Sequence, residues 1–165
     1  PDPEVIALAT AARAGDRRKL AELKGRADAG DADALTAYAR LFNPVMNKGD
    51  VFAPDAQVAV AAYERAAAAG NGMAAGEAAV LYDSGYGNVA KDPRKAAALA
   101  LRGIDLKDDQ ITFWLLFPEA GHWSDGFWGA LQAELTTRGF YTLPVENTRN
   151  PAVITALRAY MKAKS

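Results

Sequence analysis

The chain has 165 residues, of which 50% are hydrophobic and 24% charged, with a formal net charge of −1 at neutral pH and no cysteine. This composition is typical of a globular protein rather than a disordered or collagen-like one, and the balanced charge argues against nucleic acid or an anionic membrane as an electrostatic partner. Without cysteine the chain forms no disulfide, iron–sulfur cluster or thiolate zinc site, and its apolar runs are shorter than the ~18–20 residues of a membrane span.

Helix is predicted along nearly the whole chain, because 37 of the 165 residues are alanine and no alternating run of β-branched and aromatic residues indicates a hairpin. In chain order the predicted helices cover residues 3–14, 16–29, 33–42, 55–69, 72–83, 92–105, 109–117, 124–138 and 151–163. The predicted N-caps are Asp16, Asp33, Asp55 and Asp92, and the predicted helix stops are Gly15, Gly30, Gly70 and Gly139. Short helices joined by short turns predict an all-α antiparallel array.

A short motif recurs in the first half of the chain. The pattern Ala-x-Ala-Gly-x-x-x-Ala begins at Ala27 and again at Ala67, an offset of 40 residues. Small residues on one face allow two helices to approach closely, and the glycine permits the tight turn between them. Because one helix pair cannot bury its face alone, neighbouring pairs are expected to stack.

Residues 70–96 resemble the Sel-one-like repeat (SLR), a tetratricopeptide-type helix pair with small residues, a tyrosine, a glycine turn and a closing Lys-Ala. The matching positions are Ala74, Ala79, Tyr82, Gly85, Gly87, Val89, Asp92, Lys95 and Ala96. Asn88 is an insertion in the turn, and the preceding repeat, about 34–70, has a longer loop at residues 43–54 that lacks the glycine turn. The resemblance implies a short α-solenoid of SLR helix pairs over residues 1–108.

The C-terminal third changes character, because alanine becomes sparse and all three tryptophans fall in one aromatic-rich window. Residues 130–160 are similar to the small peptidoglycan-binding-like domain, a three-helix fold. The matching positions are Leu131, Gln132, Leu135, Gly139, Tyr141, Val145, Pro151, Ala156, Leu157 and Tyr160. Glu146-Asn147 replaces the Asp-Gly pair of the family, and Asn150 replaces its second glycine. The resemblance implies a three-helix module at residues 109–165 with a degenerate ligand site.

A protein-partner surface is predicted on the first-helix faces of the repeats and the loop at residues 43–54. Its candidate residues are Tyr38, Phe42 and Tyr82. The alternative is that these rings fill the helical core, and this alternative is favoured for Tyr82.

A glycan-binding surface is predicted in the C-terminal module. Aromatic side chains are favoured where an apolar body meets a polar partner, so Trp123, Trp128 and Tyr141 are expected to be exposed. Glu146 and Asn147 of the following turn complete this candidate site. The alternative for the aromatic cluster is packing within or between modules.

No catalytic, metal or cofactor site is predicted. His122 is the sole histidine, and although Ser124 lies near it, no acid is placed beside them and no G-x-S-x-G elbow exists. Asp28, Asp31 and Asp33 lack the glycine and closing glutamate of a calcium loop, so they are interpreted as capping residues. No two carboxylates are ordered across a cleft for glycoside hydrolysis.

The two resemblances imply a non-enzymatic scaffold or adaptor of the bacterial envelope, located in the periplasm, which holds a protein partner on its repeat face. Cell-wall contact through the C-terminal module is a further expectation. The chain begins at Pro1 rather than methionine, so we expect it to be part of a longer protein. Two alternatives stay open: the accessory region of a larger cell-wall hydrolase or caspase-like protease with its catalytic domain elsewhere, and a direct glycan binder.

Overall fold

The computed structural model describes residues 2–165, which are all-α, with nine helices and no strand, as the sequence predicted. The helices are α1 (Pro3–Arg13), α2 (Arg17–Asp28), α3 (Ala32–Phe42), α4 (Ala56–Ala68), α5 (Gly72–Ser84), α6 (Pro93–Asp105), α7 (Asp109–Leu116), α8 (Asp125–Thr137) and α9 (Pro151–Lys164). Each end lies within about one residue of its predicted position. Among the described residues, no helix is both long enough and apolar enough to cross a membrane.

Every helix begins at a polar N-cap whose side chain accepts a backbone N–H of the first turn. The predicted caps Asp16, Asp55 and Asp92 are confirmed. The prediction for Asp33 is wrong, because Asp31 caps α3 and accepts the N–H of Ala34. Asp33 lies inside the first turn and accepts the N–H of Asp2 at 2.9 Å. The predicted stops Gly15, Gly30, Gly70 and Gly139 all have positive φ, from 85° to 103°.

The helices alternate between two layers. In the first layer α1 packs against α3, an ion pair joins α3 to α5, and α5 packs against α7. In the second layer Arg65 of α4 reaches the carbonyl of Asp28 at the end of α2, and Lys95 of α6 pairs with Glu64 of α4 at 3.0 Å. The second layer continues from α6 to α8, and α9 packs against both. Helices α1, α3, α5 and α7, which we call the odd-numbered helices, therefore share one face of the molecule.

The hydrophobic core consists of two clusters that meet at α5 and α6. One is built mainly from α1 to α5 and the other mainly from α6 to α9, while Tyr82 and Leu99 contact both. Fully buried alanines line the contacts between α3 and α4 and between α5 and α6, where small side chains let the helices approach closely. Since α6 packs against α5 and α8 alike, the division of the chain between residues 108 and 109 stays a prediction.

A polar contact fixes the last helix to the array. The Tyr160 hydroxyl of α9 donates to Asp105 at the end of α6 and accepts from Arg138 at 3.1 Å. Burial and the hydrogen bond to Asp105 raise the pKa of Tyr160 to about 12. The phenol therefore stays a neutral donor at physiological pH and ties α9 to both α6 and α8.

Helix α7 reaches its position through glycines on its neighbours. A methyl group at Gly103 of α6 would lie 2.8 Å from Cγ2 of the fully buried Ile111. We expect Gly103→Ala to lower the free energy of unfolding, measured in urea, by about 1 kcal/mol. The overpacking cost of about 1–3 kcal/mol outweighs the gain in helix propensity. Gly25→Ala in α2 is the matched control, since no atom lies within 4 Å of the added carbon. Its free energy of unfolding should rise by about 1 kcal/mol, because alanine favours a helix more than glycine does. An equal rise in the free energy of unfolding of both variants would contradict the close packing of α7 against Gly103 of α6.

Candidate functional site

The shared face of the odd-numbered helices carries three clefts, which we call together the groove. The N-terminal cleft, about 390 Å³, lies between α1, α3 and the start of α5. The central cleft, about 320 Å³, lies between the loop after α3, α5 and α7. The tryptophan cleft, about 410 Å³, continues towards α8 and the segment before α9. The last two clefts share Asp83, Ser84, Trp114, Gly121, His122 and Trp123, so they form one continuous surface.

A buried ion pair separates the first two clefts. Arg40 of α3 lines the N-terminal cleft, and Glu77 of α5, only 3% exposed, lines the central cleft. The Arg40 Nε donates to both carboxylate oxygens of Glu77 at 3.1 Å, and Nη2 lies 2.5 Å from Oε1. Behind the pair, the Asn43 amide donates to the hydroxyl of Tyr63 at 3.0 Å. Burial, with a smaller effect of the Glu77 charge, raises the pKa of Tyr63, so this phenol stays neutral.

A second buried carboxylate anchors the wall of the central and tryptophan clefts. Asp83, 2% exposed, accepts the backbone N–H of Ser124 at 2.8 Å and its hydroxyl at 2.5 Å. The same hydroxyl oxygen accepts the N–H of Phe127 at 3.1 Å as the N-cap of α8. The Ser124 hydroxyl thus donates to Asp83 and accepts from Phe127, so it joins the end of α5 to the start of α8. His122 is exposed and lines both clefts.

Aromatic packing holds the same wall from behind. The Trp123 ring stacks on Phe127 with centroids 4.1 Å apart and an interplanar angle of 17°, and Phe127 meets Trp128 edge-on at 5.4 Å. The Trp123 indole N–H donates to the carbonyl of Trp114 at 3.2 Å. The guanidinium of Arg149 lies over the Trp128 ring at 5.6 Å. Phe127 therefore covers one face of the Trp123 ring, and the indole N–H of Trp123 already has a hydrogen-bond acceptor within the protein.

The expected exposure of the C-terminal aromatic residues is wrong for two of the three. Trp128 is 5% exposed and Tyr141 3% exposed, because both rings fill the core among α6, α8 and α9. Trp123 is half-buried in the cleft wall. The structure thus favours the packing alternative for Trp128 and Tyr141.

The turn that carries Glu146 and Asn147 is exposed but held from within. The buried Gln132 accepts the N–H of Glu146 at 2.8 Å and donates to the carbonyl of Thr148 at 2.7 Å. Asn150 donates to the Glu146 carboxylate at 2.7 Å and to the Tyr141 hydroxyl at 3.0 Å. Tyr141 and Glu146 therefore share Asn150 as a hydrogen-bond partner, Asn147 follows in the same turn, and the role of these residues in binding glycan stays a prediction.

The three predicted partner residues lie outside the groove. The rings of Tyr38 and Phe42 are 4.9 Å apart, and Phe42 also meets Phe52 of the following loop at 5.3 Å. The Tyr82 hydroxyl donates to Glu64 at 2.9 Å, and Lys95 lies 4.7 Å from its ring centroid. All three are half-buried, and the contacts of Tyr82 come from the even-numbered helices, which agrees with the core alternative for this residue.

The groove is lined by residues that the sequence analysis did not select. They include Arg40, Met46, Met73, Glu77, Val80 and Trp114. The spacing of residues 73, 77 and 80 is helical and places them on one face of α5. Arg40 and Glu77 could have been found from the sequence, because each is a charged residue within an alanine-rich helix. Such a residue needs a partner of opposite charge if it is buried.

The aspartates before α3 all have structural partners. Asp28 pairs with Lys24 at 2.8 Å, and Asp31 pairs with Arg26 at 2.9 Å. The capped N–H of Ala34 and the ion pair with Arg26 both lower the pKa of Asp31. Within residues 2–165, no three His, Asp or Glu side chains are grouped so that they could hold a metal ion.

No protein-family model matches the chain, and neither a curated protein nor a solved structure matches it.

Proposed function

We propose that this protein is a non-enzymatic scaffold that binds a segment of a protein partner in the groove of its odd-numbered helices. The observation that carries the proposal is the continuous surface of the central and tryptophan clefts, beside which apolar side chains stay exposed. Val45, Met46 and Tyr86 are 40%, 49% and 41% exposed and line the central cleft. Grouped apolar side chains at the edge of a cleft are typical of interaction sites.

The resemblance to SLR helix pairs supports the same role, because stacked helix pairs present an extended face to a partner. The two-layer arrangement of helices is compatible with such an α-solenoid. The C-terminal helices would then cover the end of the array, since their aromatic residues pack against α6. A periplasmic scaffold of the bacterial envelope, or the accessory region of a larger wall hydrolase or caspase-like protease, is the setting that the resemblances suggest.

Photo-crosslinking tests the proposal in the native host. A benzophenone amino acid at Met46 should capture one defined protein, whereas the same group at Val51 should not. Val51 is a matched control, because it lies in the same loop and is 50% exposed but lines a different cleft. With the captured protein purified, Met46→Asp is expected to weaken binding at least about tenfold, because a carboxylate must then be buried. Equal capture from both positions would contradict the proposal.

Cell-wall contact through the turn before α9 is the second candidate. It is favoured by the exposed apolar side chains of Leu143 and Val145, 53% and 49% exposed, on a turn that Gln132 holds in place. Co-sedimentation with purified sacculi, lost in Glu146→Ala but kept in Thr142→Ala, would support it. Protein that stays in the supernatant would assign the C-terminal helices to packing alone.

A further inference from the structure

The two connected clefts differ in chemical character. The central cleft is bordered by the exposed apolar residues Val45, Met46 and Tyr86. The tryptophan cleft carries two basic side chains that the central cleft lacks, Lys91 and Arg149, and the two clefts share His122. A ligand that fills both must therefore present apolar groups at one end and hydrogen-bond acceptors, or a negative charge, at the other.

The carboxylates near the basic side chains are already occupied. Glu77 pairs with Arg40, and both oxygens of Asp83 accept hydrogen bonds from Ser124. Among residues 2–165, Lys91 forms no ion pair. Asp83 is the one carboxylate that lines the tryptophan cleft, against Lys91 and Arg149, so with His122 neutral the lining residues keep a formal net charge of +1.

Arg149 carries the more specific signal. One of its terminal nitrogens donates to the carbonyl of Leu116 at 2.9 Å, and its guanidinium lies over Trp128. Its Nε is buried and, within residues 2–165, has no hydrogen-bond partner. A buried N–H without a partner destabilises the fold, and a guanidinium that is held in place is suited to a carboxylate.

We infer that the groove binds an extended peptide segment that places an acidic residue in the tryptophan cleft with Lys91 and Arg149 and neighbouring apolar residues in the central cleft. The inference rests on the proposed function and specifies its partner. A saccharide fits less well, because Val45, Met46 and Val80 offer no hydrogen bonds to its hydroxyl groups. The stacking of Trp123 on Phe127 and the burial of Trp128 also limit the indole faces on which a sugar ring could lie.

The test begins with a random peptide library displayed on phage and selected on the immobilised wild-type protein. Enriched peptides are synthesised, and their binding to variants is measured by fluorescence polarisation. We expect the peptides to contain Asp or Glu next to apolar residues, and to bind Lys91→Glu and Arg149→Glu at least about tenfold more weakly than wild type. Lys91 is exposed, so Lys91→Glu should fold even if Arg149→Glu does not. Arg158→Glu, an exposed charge reversal on α9, should bind like wild type.

Each other outcome has a defined meaning. Peptides that lack acidic residues, or that bind Lys91→Glu as well as wild type, would overturn the inference, while their sensitivity to Met46→Asp would still support binding in the groove. Peptides insensitive to Met46→Asp as well would contradict the proposed function too. If N-acetylmuramic acid is bound and no peptide is, with binding lost in Lys91→Glu, the occupant is an anionic sugar and the peptide assignment is wrong.

Discussion

The Phe127→Ala variant is expected to melt about 6–20 °C below the wild-type protein, the largest effect that we predict for a single substitution. Phe127 has no exposed surface, stacks on Trp123 and meets Trp128 edge-on. Removal of a buried phenyl ring costs about 3–5 kcal/mol, because the transfer free energy is lost and a cavity remains. The site lies directly behind the tryptophan cleft, so the cavity also removes the support of its wall.

Thermal unfolding followed by circular dichroism measures the effect, and tryptophan fluorescence reports the cleft. We expect the emission of Phe127→Ala to shift to longer wavelength before unfolding, because Trp123 and Trp128 become more hydrated. Phe127→Leu is the control, since it keeps most of the apolar volume and should cost about 1.5 kcal/mol or less. Equal melting temperatures for the two variants would show that the aromatic stack contributes little.

The second large effect is expected from Glu77→Ala, which should destabilise the fold by about 3 kcal/mol and lower the melting temperature by about 6–12 °C. Glu77 is 3% exposed and accepts three contacts from Arg40. Without Glu77, the guanidinium stays in a partly buried position with no counter-charge. This expected loss of stability lies at the low end of the range for a buried ion pair that loses one partner. The reason is that the Arg40 side chain is 29% exposed, so water can solvate its charge when Glu77 is removed.

Glu64→Ala is the matched control for this prediction. Glu64 also pairs with a basic residue from a neighbouring helix, Lys95, but both side chains are about one-third exposed or more, at 32% and 44%. Partly exposed pairs contribute about 0–1 kcal/mol, and the Tyr82 hydroxyl also loses its acceptor. Since Tyr82 is only half-buried and its hydroxyl can turn to water, Glu64→Ala should lose about 1 kcal/mol or less. Urea unfolding of both variants gives the comparison, and a similar loss for the two would argue against a special role of the buried pair.

The local elements of the fold could be predicted because their signals lie close together in the chain. In α1 and α4, for example, an acidic cap, an alanine-rich stretch and a following glycine lie within some fifteen residues, roughly the range of helix propensity and capping. The one wrong cap, Asp33 in place of Asp31, shows the limit of this method. Asp31 and Asp33 lie two residues apart and both suit an N-cap, and only the backbone geometry shows that Asp31 caps α3.

The candidate site could be predicted only in its outline. Val45 and Met46 of the predicted loop at residues 43–54 line the central cleft, whereas Tyr38, Phe42 and Tyr82 do not. The individual side chains were different, because aromatic residue type does not reveal the direction in which a ring points. Tyr141 and Trp128 were expected at the surface, yet α6, α8 and α9 enclose them.

The amino-acid sequence by itself determined the all-α class, the ends of the helices and most of their caps, because each depends on residues a few positions apart. Only the tertiary structure decided where the groove lies and which charges in it are free. Arg40 meets Glu77 across 37 positions, and Asp83 meets Ser124 across 41. Such contacts form only once the two layers of helices have packed, and packing depends on the sum of many apolar contacts rather than on any local motif.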